Sequence, residues 1–473
     1  MSQNDDRPKL DGPHRELVGD VEKARLQAAN GLAVDSRRSR PRYFDGRFLA
    51  ARDLTNDQDY ALRRQADLAR ASGWGVVHGL EVFPSTVATR VKVRSGMGYT
   101  PGGEPVILPR ELDVDLLSMN AATLLDAHLG LGKDRSAMGR SRVGPFVLAL
   151  RPIEYTSGSR AGYPTTVQGT TTLQDHEIVE ATALTLIPWP NPPAGNPEAV
   201  RAGLARQIFV SQSGAKLPAD VLPIAMVYLD GVKVQWVDSG LVRRVVGSAQ
   251  EDLLGLGLVN RTGQAAYLRQ YLQHITWLLQ VHGANNFVAS SYLEALPPVG
   301  PLPVSAVDQQ NFTQRFFPAE VDVDLSFVPA DELPALLEES LLLPAIDLRA
   351  SPEQLAATSV LILVPVDRPT FRRYKSTLGA VRRPLVRRIE RAPVLRTPLV
   401  ALSNLKLPSV VASTATTGTA SSSSSSPWTT LLEQAVRSIG TNGVLWYVRR
   451  RNLNSRAEIQ GDVVDIDLSG GQQ

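Results

Sequence analysis

The 473 residues exceed what one ordinary hydrophobic core organises, so two or three domains are expected, and 43% hydrophobic with 21% charged residues is a soluble globular composition. The absence of cysteine excludes disulfides, thiolate metal sites and cysteine nucleophiles, and a cytosolic setting fits it best. A formal net charge of +3 conceals segregation: Arg368–Arg396 holds nine arginines and Lys375 against Glu390 alone, a local +9 that leaves −6 for the remainder.

The first twenty residues are polar and carry no apolar core, unlike a secretory signal. No apolar run approaches the roughly 20 residues of a membrane-spanning helix. Residues 1–40, with Pro8, Pro13, Gly19 and a basic patch at Arg37, Arg38 and Arg40, read as a flexible arm, helical around Glu22 to Ala29, that orders against a partner. From Tyr43 the pattern tightens. Phe44, Phe48 and Leu49 lie around Gly46, and Asp53 reads as an N-cap before a polar helix, Asn56 to Arg70, that closes near Gly73. In Val87–Arg94 the residues Val87, Thr89, Val91 and Val93 fall on one side and Arg90, Lys92 and Arg94 on the other, the period of a half-buried strand. Thr100-Pro101-Gly102-Gly103 is a hairpin connection, with Val106–Leu108 returning. Short β runs follow at Pro145–Ile153, Val179–Ile187, Ile208–Ser211, Leu222–Leu229 and Val232–Val237. Their spacing predicts an antiparallel β-sandwich domain over 41–250.

At Gly263 the period changes. Leu268, Tyr271, Leu272, Ile275, Leu278 and Leu279 recur at three and four, so Gln264–Val281 is an amphipathic helix, and His274, off that stripe, is expected at solvent or an interface. With the extended Pro-rich crossing at 296–303 it makes a helical connector over 251–303. The remainder, 304–412 and 428–473, reads as a smaller mixed α/β domain. It contains a helix at Ala330–Leu343, a strand at Ser359–Val366, a helix at Trp428–Ile439 and strands at Val444–Val448 and Gly461–Leu468. A Ser/Thr-rich linker at 413–427 interrupts it, and the strands on either side can pair across that long loop. The predicted fold class is therefore α+β: an N-terminal antiparallel β-sandwich, an amphipathic helix, then the mixed α/β domain.

Residues suited to chemistry are scattered. His14, His78, His128, His176, His274 and His282 include no pair at metal-ligand spacing. Asp175-His176-Glu177 is the densest ionisable cluster of the β region, but neighbours on a strand point to opposite faces. Asp113 with Asp115, and Asp322 with Asp324, each place two carboxylates on one face, where acid–base work or a cation is conceivable; the wet face of an antiparallel strand shows the same pattern and is the expected one. Gly255 and Gly257 lack the ending of a phosphate loop, and no serine occupies a hydrolase elbow. No catalytic residue, cofactor, metal site or small-molecule substrate is assigned, and scaffolding is favoured over enzymatic activity. Arg372, Arg373, Arg382, Arg383, Arg387 and Arg388 form a candidate basic interface. Only Phe371 and Tyr374 are there to stack on bases, so a protein surface is favoured over nucleic acid.

Arg42-Tyr43-Phe44-Asp45-Gly46-Arg47-Phe48-Leu49, then Gln58-Asp59-Tyr60, Gly73-Trp74-Gly75-Val76 and the strand–turn–strand over 93–109, resemble in their order the opening of contractile injection baseplate subunits, in particular the type VI secretion subunit TssK. Where that family carries Pro-Asp-Gly, this chain has Pro101-Gly102-Gly103, which keeps the turn and loses the carboxylate. The runs at 146–150 and 222–225 fall in similar order, and the likeness stops near residue 250. Leu-Pro-Pro-x-Gly-x-Leu-Pro at 296–303 and Leu-Trp-Tyr-Val-Arg-Arg-Arg at 445–451 instead resemble uncharacterised proteins encoded near extracellular injection and phage-tail genes.

The resemblance implies a sandwich akin to phage receptor-binding proteins, a homo-oligomer (a trimer in that family), and other baseplate or tail subunits as partners. It also implies a cytoplasmic protein assembled into an injection particle and linking its baseplate to a peripheral partner. Phe44, Gly46, Phe48 and Leu49 are then the candidate partner-docking element, with capping of the chain's own sandwich as the alternative. Two other functions are weighed: a glycan- or surface-binding module, for which Trp189 is the expected exposed aromatic, and a tail-associated hydrolase, which needs convergent carboxylates.

Overall fold

The structure is a computed structural model describing residues 19–34, 39–118, 142–162, 173–213, 217–246, 261–285, 287–309, 312–381, 405–407, 427–439 and 444–450. It comprises two compact units, residues 1–68 and 69–473. The first holds α1 (Asp20–Ala28), none of whose residues is buried, and most of α2 (Ala51–Ala71). The helix α2 starts before Asp53, which sits in its first turn rather than at its cap. There the carboxylate accepts the Ala50 N–H at 3.2 Å, serving a backbone donor that the helix leaves open.

The second unit opens with six short strands: β1 (Gly75–Gly79), β2 (Val82–Pro84), β3 (Arg90–Val93), β4 (Gly96–Tyr99), β5 (Pro105–Leu108) and β6 (Leu112–Asp115). They form two antiparallel sheets ordered β1-β4-β5 and β2-β3-β6. Val91 and Val93 face inward, while Arg90 pairs with Asp113 at 3.3 Å and Lys92 with Glu111 at 3.8 Å outside. Val87 is exposed, because ladder pairing begins only at Arg90 and the alternation before it has no partner strand to follow.

A four-stranded antiparallel sheet follows, ordered β10-β9-β7-β8, from β7 (Val143–Ala161), β8 (Leu173–Pro188), β9 (Leu222–Asp230) and β10 (Val234–Asp238). Its two faces are both covered, which explains the unbroken apolar run at 146–150. Phe146, Leu148 and Leu150 pack with Val76, Val91, Val93 and Val106 of the small sheets. Val147 and Ala149 face the other way, onto Val200 and Leu204 of α3 (Pro197–Phe209). The expected strand at Ile208–Ser211 is thus the end of a helix. Asn196 caps it through the Ala199 N–H at 2.8 Å, Pro197 occupies its first turn, and Val200, Leu204 and Ile208 continue one stripe at intervals of four.

The helix α4 (Arg261–His282) leads on to α5 (Ala289–Tyr292). Two small ladders come next: β11 (Ala295–Leu296) pairs with β16 (Ile346–Asp347), and β13 (Val307–Asp308) with β14 (Thr313–Gln314). A five-stranded mixed sheet is ordered β12-β19-β17-β15-β18, from β12 (Val299–Pro303), β15 (Asp322–Pro329), β17 (Ser359–Val366), β18 (Leu405–Lys406) and β19 (Val444–Arg450). The Pro-rich crossing contributes an edge strand, where a proline's missing N–H is tolerated. The parallel pair β15–β17 is joined through α6 (Leu333–Ser340) and α7 (Pro352–Ala356), and β17 pairs with β19 across the Ser/Thr-rich run. One sheet face, with Val323, Leu325, Ile362 and Leu445, meets Tyr271, Ile275 and Leu278 of α4 and Leu432 of α9 (Pro427–Ile439); the other, with Leu361, Leu363 and Val448, meets Leu336 of α6. The fold is α+β. Ser413–Ser426 and Gly461–Leu468 lie outside the described residues.

Candidate functional site

The segment before α2 is built to hold side chains outward. Asp45 and Gly46 make a turn, with Gly46 at φ +83 and the Arg47 N–H donating to the Phe44 carbonyl at 3.1 Å. The Arg47 guanidinium donates to the Arg42 carbonyl and to the Asp53 carboxylate, and lies 5.8 Å from the Tyr43 ring centre. This clamp ties the loop to the first turn of the helix. It leaves Phe44 64% and Phe48 91% exposed, with Leu49 also outside. Along α2 itself only Ala66 is buried, while Leu54, Leu62 and Leu68 are exposed.

Of the basic block, the structure describes the part on α8 (Arg368–Val381). Arg368 is taken up by Asp331 at 2.6 Å and Glu332 at 2.9 Å. Arg372 and Arg373 are exposed, Arg373 lying 5.7 Å from the Tyr374 ring centre. Tyr374 is itself buried, edge-on to Phe327 at 4.9 Å, so it is a core residue and offers no free stacking face. Arg382, Arg383, Arg387 and Arg388 lie outside the described residues, as do Gly255, Gly257, His14 and His128.

The acidic candidates separate into structural roles. The β7 hydroxyls of Thr156 at 2.7 Å and Ser159 at 2.9 Å hold the carboxyl of Asp175 on β8 below the usual carboxylate range, and His176 reaches the Gly158 carbonyl. Asp113 belongs to its ion pair with Arg90, and Asp115 accepts from the Thr89 hydroxyl at 3.1 Å. Asp322 and Asp324 are not on a wet face: Asp324 is buried and ion-paired with Arg450, and Asp322 accepts from the Ser359 hydroxyl at 3.4 Å. The expectation fails because β15 is an interior strand covered on both sides. Among the described residues no three His, Asp or Glu side chains gather as a metal site.

Two further expectations are corrected. Trp189 is buried against α3, its indole N–H donating to Gln207 at 3.2 Å, and so presents no exposed face for a sugar. His274 is fully buried, because α4 is packed on more than one side: Tyr267 lies in the core beneath the four-stranded sheet and Tyr271 in the core of the mixed sheet. Burial, with the Arg201 charge as a second cause, pushes the imidazole well below its ordinary pKa and keeps it neutral.

Sequence reasoning missed the buried cluster beside it. Arg201 donates to Asp238 at 2.8 Å, Gln270 donates to the same oxygen at 3.0 Å, and the Leu241 N–H fills the other oxygen at 3.2 Å. These residues come from α3, β10 and α4, and nothing in their local spacing joins them. The two C-terminal motifs, by contrast, prove to be one feature. The segments 299–303 and 444–448 pair antiparallel, Gly300 opposite Tyr447 and Pro301 opposite Trp446. Tyr271 donates to the Pro301 carbonyl at 2.7 Å and Tyr447 to the Pro297 carbonyl at 3.2 Å. Arg449 donates to the carbonyls of Pro344 and Ala345 at 2.8 and 2.7 Å. Their conspicuous residues thus serve packing.

No family model matches the sequence, and no curated protein matches it. Among solved structures the chain is similar to one in the TssK-TssF-TssG baseplate subcomplex of the type VI secretion system, with 14% identity over 51% of this chain and 72% of that one and a TM-score of 0.23. It is similar to TssK in its crystal structure, with 12% identity over 43% and 41% and a TM-score of 0.22. A chain of the type VI secretion baseplate complex is similar at 16% identity over 51% and 69%, with a TM-score of 0.21. These neighbours are baseplate components, and they include the TssK whose opening residues 42–109 resemble. TM-scores this low leave the function to be argued from this chain's own surfaces.

Proposed function

We propose that the chain is a structural subunit of a contractile, phage-tail-like injection machine, associated with the baseplate and linking it to a peripheral partner by protein–protein contacts. The carrying observation is the outward-held hook of Phe44, Phe48 and Leu49, fixed by the Arg47 clamp onto the first turn of α2. Burying two phenylalanines and a leucine is worth about 1.5–3 kcal/mol each, enough to anchor a contact whose loop is already ordered. Gly46 belongs to the element because it supplies the turn that aims the two aromatics apart from the helix. Exposed Arg372 and Arg373 are a second contact, suited to an acidic protein surface. A homo-oligomer is part of this reading, with the trimer of the resembled family as its stoichiometry and an assembled particle as its setting.

The test is co-expression of the full chain with sheath, tube and baseplate subunits of a contractile machine from the same genome. We expect the chain to co-purify with baseplate subunits, and Phe44→Ser with Phe48→Ser to weaken that binding at least about tenfold at unchanged melting temperature. Retention of full binding by the double variant, or no association with any baseplate subunit, would overturn the reading.

A further inference from the structure

We propose that α2 pairs antiparallel with α2 of a second copy of this chain, through a face separate from the hook. Ala51, Leu54, Gln58, Ala61, Gln65 and Leu68 recur at alternating intervals of three and four, and all six are exposed, as is Leu62 beside them. A 3.5-residue repeat keeps one narrow seam turned toward a partner helix over the whole length, here about 31 Å for 21 residues. The helix's one buried residue, Ala66, falls outside this seam.

The seam is complementary to itself when reversed. In one register Ala51 meets the partner's Leu68, Leu54 meets the partner's Gln65, and Gln58 meets the partner's Ala61; the symmetry repeats each layer, and no seam position overhangs. Two of these three layers set a large side chain against an alanine, which fills the interface without crowding. The flanking charges agree. Asp57 precedes Gln58, Arg64 follows Ala61 by three, and the same register sets Asp57 opposite the partner's Arg64 twice along one flank. A parallel pair would instead stack Ala51 on Ala51 and Ala61 on Ala61, and would face Asp57 with Leu62. Charge complementarity therefore selects the reversed copy. The contact is two-fold and isologous, so it joins copies pairwise: two chains where nothing else associates, or two trimers where the trimer also forms.

Light scattering of the full chain tests this. Asp57→Arg alone and Arg64→Asp alone place like charges at both contacts of that flank and are expected to halve the particle mass, with unchanged circular dichroism as the check that the helix is kept. Mixing the two variants restores opposite charges at both contacts and is expected to restore the mass. Single variants that keep the wild-type mass, or a mixture that stays at half mass, would overturn the pairing. The chain has no cysteine of its own, so a disulfide reads the direction directly. Gln58→Cys copies are expected to cross-link to Ala61→Cys copies; cross-linking of Gln58→Cys to itself alone, or none in the mixture, would exclude the antiparallel pair. Phe44→Ser with Phe48→Ser leaves the mass unchanged while lowering baseplate binding, so failure of the hook and failure of the helix pair are separately visible.

Discussion

Arg201 illustrates what a single residue does in this interior. Its guanidinium is nearly inaccessible, faces the Asp238 carboxylate at 2.8 Å and lies 5.8 and 5.7 Å from the rings of Trp236 and Trp277. With Gln270 and the Leu241 N–H also on Asp238, the acid is fully hydrogen-bonded, so removing either charge strands the other at a cost of about 3–5 kcal/mol. His274 lies near this cluster with neither ring nitrogen hydrogen-bonded among the described residues. Because its folded pKa is depressed, the unfolded chain takes up a proton first as pH falls. Stability is therefore unaffected by this group above about pH 6.5 and declines below it by up to about 1.4 kcal/mol per pH unit, until the folded-state pKa is reached. Denaturant midpoints measured from pH 7.5 to 5 should fall in the wild type and fall less steeply in His274→Gln, and parallel curves would count against the assignment.

At the scale of elements, β12 shows how prolines and a glycine are used together. A Cβ on Gly300 would stand 2.5 Å from a ring carbon of Tyr271 and 2.9 Å from the Tyr447 hydroxyl, both buried and both tied to proline carbonyls. Gly300→Ala should therefore cost about 1–3 kcal/mol by overpacking, seen as a lowered melting temperature, whereas Ala at exposed Gly31 should be neutral by the same measurement. Elements with a long, unbroken period are legible in the sequence. The helix at 264–281 and the strand at 359–366 carry six or more consistent positions each, and they reappear as α4 and β17. Ile208–Ser211 is not legible as helix, because three apolar residues in a row fit both periods and only the Asn196 cap, twelve residues upstream, decides between them. Trp189 misleads for a related reason: flanking prolines suggest a surface turn, and nothing local announces that α3 covers it.

At the scale of the unit spanning residues 69–473, α4 joins the two halves of the β structure. Tyr267 stacks on Phe209 at 4.4 Å in the core under the four-stranded sheet, and Tyr271, Ile275 and Leu278 enter the core of the mixed sheet. Arg206 of α3 and Asp347 of β16 add a two-pronged bridge at 2.8 and 2.9 Å. Cores sharing one rigid helix cannot loosen independently, so this unit should unfold in one transition, with tryptophan fluorescence and far-ultraviolet circular dichroism coincident. Tyr267→Ala should lower both together by about 3–5 kcal/mol, and a split into two transitions would show the halves to be separable. The α+β class and the order of most elements follow from the sequence alone, because period, caps and turn residues act over a few positions. The sequence leaves Phe44 and Phe48 either outward or capping the chain's own sandwich, and only their exposure in the structure turns them outward. Which acids are buried, which arginines are already paired, and that the motifs at 296–303 and 445–451 are neighbouring strands were decided only by tertiary structure. Those facts depend on contacts between residues in different elements, 37 positions apart for Arg201 with Asp238 and for Arg368 with Asp331 and 126 for Asp324 with Arg450, and no local rule of spacing carries that information.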